Sequence, residues 1–161
     1  MPDSEILQRF DTLAGYQAAI QVLIAGAQKR LWFCEQTLRE SGLGSRMQHD
    51  MLVHFLRASA TSTIRILLTR TEYLLQECPR LLQLFNQFPH RLEIRTPIEL
   101  TANEQQCYVI ADEGHYLKRY HSDWLRGEYG IDRQEAAVLE QRFNLWWEQA
   151  STPSEMHQLT L

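Results

Sequence analysis

The chain is poor in cations, in cysteine and in long apolar runs, and each shortage excludes a class of function. Lysine and arginine total 16 against 20 aspartates and glutamates among 161 residues, a formal net charge of −4. A protein that coats polyphosphate or docks on membranes through a polybasic surface is therefore excluded, and any anion site has to be built locally. The three cysteines, Cys34, Cys78 and Cys107, are far apart and form no CxxC pair. An odd, scattered set supplies neither a disulfide framework nor a zinc site, and it fits reduced thiols in a cytoplasm. The longest mainly apolar stretch, Ala18 to Ala27, is interrupted by Gln21 and is about half of the roughly 20 residues a spanning helix needs. The start, Met1-Pro2-Asp3-Ser4-Glu5, is acidic, with no signal-like apolar stretch after it, so a cytoplasmic protein without membrane association is expected. No repeat, low-complexity segment or linker precedes Ser151.

Hydrophobic residues make up 44% of the chain and charged residues 22%, enough apolar surface to offset chain entropy. A chain of this size buries roughly 68–70% of its unfolded surface. One domain over residues 1–150 with a loose tail over 151–161 is expected. From Ser4 to Arg30 the apolar residues Ile6, Leu7, Phe10, Leu13, Tyr16, Ile20, Leu23 and Ile24 recur at three and four, the pattern of helix interrupted near Gly15. Leu31-Trp32-Phe33-Cys34 predicts a first buried strand. Met47, Met51, Leu52, Phe55 and Leu56 predict a helix capped by Ser45. Thr63 to Leu68 predicts a second strand, Pro79 to Phe88 a helix with proline in its first turn, and Leu92 to Thr96 a half-buried strand ended by Pro97. Gln106 to Asp112 and His115 to Arg119 flank Glu113-Gly114 as the arms of a hairpin. A polar, glycine-containing stretch runs from Tyr120 to Ile131, and Asp132 caps a last helix through Phe143, Trp146 and Trp147. Alternation of this kind calls for an α/β fold, a mixed β-sheet flanked by helices. Two adjacent tryptophans cannot face the same way, so one of them should be exposed or covered by a partner.

This order of elements resembles one half of the phospholipase D superfamily over roughly residues 17 to 150. The features that carry the likeness are Ala27 to Phe33 as helix end and strand, Thr63 to Leu68 as the next strand, and the later hairpin. The final helix adds Phe143-Asn144-Leu145-Trp146, matching the family's Phe-x-x-Trp ending. Family members carry His-x-Lys-x-x-x-x-Asp on the hairpin strand. Here Asp112 matches the aspartate, Gln105 stands at the histidine and Cys107 at the lysine. In the family the histidine attacks phosphorus and the lysine holds the phosphoryl oxygens. Glutamine can do neither proton transfer nor nucleophilic attack, and a cysteine nucleophile needs a base and a lowered pKa. The chain is thus similar to a bacterial group of degenerate phospholipase D-like half-domains, of unassigned role, some of which are joined to acetyltransferase domains. The resemblance implies a homodimer, since single halves pair across a two-fold axis. It leaves a protein partner such as an acetyltransferase open.

Cations, histidines and aromatics concentrate between His115 and Trp124. Strand alternation puts His115, Leu117 and Arg119 on one face and Tyr116, Lys118 and Tyr120 on the other, so two small sets are expected rather than one. Lys118, Arg119, His121 and Trp124 are the candidate ligand-binding residues, for a phosphate-bearing ligand or nucleic acid, through bidentate contact from Arg119 and stacking on the aromatics. The bland alternative is charge that keeps an edge hairpin soluble. No catalytic residue, metal ligand or cofactor is assigned: His115 and His121 lack a third ligand, and Gly42-x-Gly44 is explained by helix capping at Ser45. The leading expectation is a non-catalytic module that binds a phosphate-bearing ligand or a protein partner. The rival is a phosphodiester-processing enzyme rebuilt around His115, Arg119 and His121.

Overall fold

In the computed structural model, which describes residues 4–97, 106–121 and 123–158, eight strands form one mixed sheet. In chain order they are β1 (Ser4–Phe10), β2 (Arg30–Glu35), β3 (Thr63–Leu68), β4 (Leu92–Pro97), β5 (Tyr108–Ala111), β6 (His115–Arg119), β7 (Gly127–Asp132) and β8 (Ala150–Ser151). Spatially they run β1-β7-β6-β5-β2-β3-β4-β8. β2, β3 and β4 are parallel, and every other pairing is antiparallel. The apolar residues Leu31–Cys34, Ile64 and Ile66–Leu68 lie in the middle of the sheet and are buried, as parallel strands covered by helices must be, with Arg65 half-buried among them.

Helices α1 (Leu13–Gly26), α2 (Arg46–Ala58), α3 (Glu72–Glu77) and α4 (Pro79–Gln87) precede α5 (Arg133–Glu148) and α6 (Ser154–Gln158). One side of the sheet packs on α1, α2 and α4 through Tyr16, Ile20, Leu52, Leu56, Leu81 and Leu84. The other side packs on α5 through Leu139, Phe143 and Trp147, with Trp32 stacked on Phe143 at 4.9 Å. Each long helix starts where its side-chain cap predicts: Thr12 Oγ1 accepts from Gly15 N at 3.0 Å, Ser45 Oγ from Gln48 N at 3.2 Å, and Asp132 Oδ1 from Gln134 N at 3.0 Å. The mixed sheet flanked by helices agrees with the sequence.

Three segments differ from expectation. Ser4–Phe10 is a strand, not helix; it pairs with β7 with a bulge between Ile6 and Gln8, which breaks the period of two and leaves apolar residues at a spacing that mimics a helix. The polar stretch before Asp132 contains β7, whose glycines are needed because a Cβ on Gly127 would stand 2.0 Å from the Lys118 carbonyl. Residues 151–158 are built into the fold: Thr96 and Pro97 pair with Ser151 and Ala150, and Met156 is buried in the core. Of the two adjacent tryptophans, Trp147 is buried and Trp146 is half-buried.

Candidate functional site at the open end of the hairpin

The β5–β6 hairpin has two ends. At its turn, Asp112 and Gly114 take left-handed backbone conformations, φ 49° and 84°, which aspartate and glycine tolerate best. The Asp112 carboxylate accepts backbone N–H bonds from Gln28, Lys29 and Arg30, at 3.0, 2.7 and 3.2 Å. Arg30 Nε donates back to the Asp112 carbonyl at 2.9 Å, while its guanidinium pairs with Glu140 at 2.8 and 3.0 Å. That pairing holds the Glu140 carboxyl below its usual range. Asp112, the one residue that matches the family motif, thus ties the turn to the chain entering β2. Gln105 lies outside the described residues.

At the open end, 1% exposed Glu35 closes β2 and accepts a hydrogen bond from Tyr16 Oη of α1. Arg119, at the end of β6, lays its guanidinium 5.4 Å from the Tyr16 ring and donates from Nε to the Trp124 carbonyl at 3.1 Å. Cys107, just before β5, is buried in the same cluster. Burial pushes Glu35 up from 4.5 to about 7, against the Tyr16 hydrogen bond and the Arg119 charge, which pull it down. The Cys107 thiol is raised, first by burial and then by Glu35. A shift in that direction favours the protonated thiol over the thiolate. All three cysteines are buried, and none of them is in a disulfide.

Lys118 points to the other side of the sheet, as alternation requires, and bonds Glu135 of α5 at 2.7 Å. There β6 and α5 border a cleft of about 300 Å³, lined by Gln106, Lys118, Tyr120, Glu135, Val138 and Arg142 among others. Arg142 reaches across to donate to Gln106 Oε1. Tyr120 is half exposed, and its hydroxyl donates to Glu128 at 2.8 Å. In the β6–β7 connection His121 is exposed and Trp124 is 61% exposed, with Trp124 N donating to the His121 carbonyl at 3.2 Å. The candidate set therefore divides only in part: the Arg119 guanidinium meets Tyr16 and the Trp124 carbonyl on the α1 side and the Lys118 side chain meets Glu135 on the α5 side, while Arg119 and Cys107 also border the cleft that Lys118 lines. His115 is at the far end of β6, its Nδ1 3.1 Å from Tyr129 Oη. Four strand residues at about 3.3 Å each put it roughly 13 Å from Arg119, too far to act on one reacting centre. Among the described residues no three His, Cys, Asp or Glu side chains are placed to hold a metal ion, and no helix is long and apolar enough to cross a membrane.

Sequence reasoning missed three members of this end. Glu35 had a signal, a carboxylate directly after the apolar run Leu31–Cys34, where parallel strands present their carboxyl ends to ligands. Tyr16 was visible only as an apolar helical position. Arg142 carried no local signal, being one of several charges on the outer face of α5.

A sheet of this order, with helices on both sides and the hairpin in its middle, defines a phospholipase D-like fold. It is similar to Nuc from Salmonella typhimurium, a phospholipase D family member, with TM-score 0.63 and 10% identity over 93% of this chain and 98% of that one. It is equally similar to NucT from Helicobacter pylori, with TM-score 0.62 and 9% identity over 93% and 99%. TrmBL2, an archaeal chromatin protein whose structure shows a novel mode of DNA binding, has TM-score 0.68 and 13% identity over 95% of this chain and 54% of its own. The chain spans about half the length of that protein. At such identities the likeness is one of fold. No curated protein matches the sequence. Residues 12–159 match the family described as Domain of unknown function (DUF7931), and the chain belongs to that family.

Proposed function

We propose that this chain is a non-catalytic phospholipase D-like module that binds a phosphate-bearing chain, nucleic acid, at the open end of the β5–β6 hairpin. The observation that carries the proposal is the division of charge there. The position matching the family's lysine holds a buried, protonated Cys107, and Arg119 is committed to Tyr16 and the Trp124 carbonyl. Lys118 and Arg142 line an open cleft in which Glu135 is the carboxylate. A phosphate would displace Glu135 from Lys118 and take bidentate bonds from Arg142, with the exposed ring of Tyr120 beside it for stacking. The DNA-binding neighbour supports nucleic acid as the source of the phosphate.

A thermal-shift panel of inorganic phosphate, nucleotides, coenzyme A and short single- and double-stranded oligonucleotides tests this, run beside Lys118→Ala and Arg142→Ala. A ligand at about 100 times its Kd stabilises by about 2.7 kcal/mol, a rise of several degrees for a chain of this length. An oligonucleotide shift lost in both variants supports the proposal. A shift that both variants keep places the ligand elsewhere. No shift with any phosphate-bearing ligand overturns the proposal and leaves a protein partner, such as an acetyltransferase, as the role to pursue.

A further inference from the structure

The two sides of the sheet are covered unequally, by α1, α2 and α4 on one and by α5 on the other. On the α5 side Thr63 and Arg65 of β3 and Glu93 and Arg95 of β4 are left half-buried. Strand register fixes their order: Trp32 pairs with Arg65 and Arg65 with Glu93, Arg30 pairs with Thr63, and Arg95 pairs with Leu67. Arg30, Arg65 and Arg95 therefore stand on a diagonal across β2, β3 and β4, each step being one strand and two residues, about 8 Å between Cα atoms. The ends of the diagonal are answered within the chain. Arg30 holds Glu140 through bonds of 2.8 and 3.0 Å, and Arg95 lies 3.3 Å from Glu93 and donates to the Trp147 carbonyl at 3.1 Å. Arg65, in the middle, is not answered in that way. Its Cζ stands over the rings of Trp32 and Trp147, at 5.0 and 5.3 Å, and no hydrogen bond or ion pair with another described residue reaches its guanidinium. Glu93, its neighbour in register, is drawn to Arg95 instead. The rings balance part of the charge but take none of the guanidinium N–H donors as a carboxylate would. In the same row Trp32 Nε1 is a buried donor without an acceptor among the described residues.

We infer that Arg65 anchors a docking surface for an acidic segment of a protein partner, one carboxylate of which takes the unanswered guanidinium donors in bidentate contact. Charge complementarity carries this. Along the diagonal the arginines Arg30, Arg65 and Arg95 meet the glutamates Glu140 and Glu93, so one positive charge is left over and one carboxylate closes the balance. The anchor is also preorganised. Trp32 and Trp147 already hold the Arg65 side chain, so docking costs little further side-chain freedom, and arginine packed on tryptophan is the composition of interface hot spots. A nucleic acid does not suit the same place. It needs several uncompensated cations in a row and an open ring on which a base can stack, whereas Arg30 and Arg95 are neutralised here and Trp32 and Trp147 are only 7% and 5% exposed. In the sheet order Arg65 is three strands from Lys118, about 14 Å, with α5 packed on the strands between. The surface is therefore separate from the phosphate cleft, and neither depends on the other.

An NMR titration of the full chain with a glutamate-only hexapeptide, blocked at both ends, tests the inference at low salt, read at the tryptophan indole N–H signals and the Arg65 Nε–H signal. The Trp32, Trp147 and Arg65 signals are expected to shift and saturate, while that of Trp124, in the β6–β7 connection, stays in place. A glutamine-only peptide of the same length is expected to move none of them. Arg65→Lys keeps the charge but loses the planar fork, and is expected to weaken peptide binding about tenfold. Glu93→Gln reads the charge balance without touching Arg65 or the rings, and is expected to bind the glutamate peptide severalfold more tightly than the wild type. Trp32 and Trp147 signals that ignore the glutamate peptide overturn the inference, as does equal binding by the wild type and Glu93→Gln. An oligonucleotide that moves the same signals as strongly as the peptide overturns it too, in favour of a nucleic acid at this surface.

Discussion

At the turn of the β5–β6 hairpin a carboxylate, Asp112, collects three backbone N–H groups and is half exposed; at the open end another, Glu35, is sealed between Tyr16 and Arg119. The first ties loop to loop. The second is a buried acid whose charge is opposed by burial. Motif matching selects the first, because Asp112 fits the pattern. The physical environment selects the second, because a buried titratable cluster at the carboxyl ends of parallel strands is what active sites are built from. The difference teaches that the open end is not loose: Tyr16, Glu35, Cys107 and Arg119 close it from within.

That contrast can be broken first at Arg119. Arg119→Met leaves Glu35 buried without its neighbouring cation, and a cost of about 3 kcal/mol at pH 8 is expected from chemical denaturation. Adding Glu35→Gln should recover a large part of it; a double variant no more stable than Arg119→Met alone would show that the two side chains do not act together. At the other end Asp112→Ala removes the acceptor for Gln28, Lys29 and Arg30 and puts alanine at a positive φ, for about 2 kcal/mol. Glu35→Gln should leave that loss unchanged, since the two ends share no partner.

The acid sharpens the comparison through pH. Glu35 titrates near 7 in the folded chain and near 4.5 when unfolded, so between these values the native state holds the extra proton. Stability then falls as pH rises through that window, by up to about 1.4 kcal/mol per unit, and levels off above it. Melting temperatures from pH 4.5 to 7.5 read the slope, and Glu35→Gln should flatten it. A wild-type curve that rises across the window, or a slope untouched by that substitution, contradicts the account of the buried acid. The smallest effect on stability is predicted for Lys118→Ala. Its pair with Glu135 is about one third exposed on both sides and is worth under about 1 kcal/mol, yet the same change should weaken binding of an oligonucleotide about tenfold.

The parallel part of the sheet was legible in the sequence because β2, β3 and β4 are short apolar or alternating runs bounded by polar turns. The hairpin was legible from its glycine turn and its two arms, and the split of Lys118 from Arg119 followed from alternation alone. β1 was not. It is an edge strand in which only Phe10 is buried, so burial imposes no period of two, and the bulge moves its apolar residues into helical register. β7 was hidden by Gly127 and Gly130, residues that weaken a strand by propensity but are required here by the close passage of neighbouring chain. The candidate site was half legible. Lys118 and Arg119 are adjacent in the sequence, whereas Glu35, Tyr16 and Arg142 come to the hairpin from distant parts of the chain, and no local pattern announces them.

The central claim is that the open end binds phosphate through Lys118 and Arg142 without turning it over. A fluorescence-anisotropy titration of a labelled single-stranded oligonucleotide tests it most directly, comparing the wild type with Lys118→Ala/Arg142→Ala at two salt concentrations and checking the recovered strand for cleavage. The account predicts salt-sensitive binding by the wild type, loss of affinity of at least about tenfold in the double variant, and an intact oligonucleotide. Equal binding by both proteins would move the site away from the cleft, and cleavage by the wild type that the double variant lacks would make the protein an enzyme.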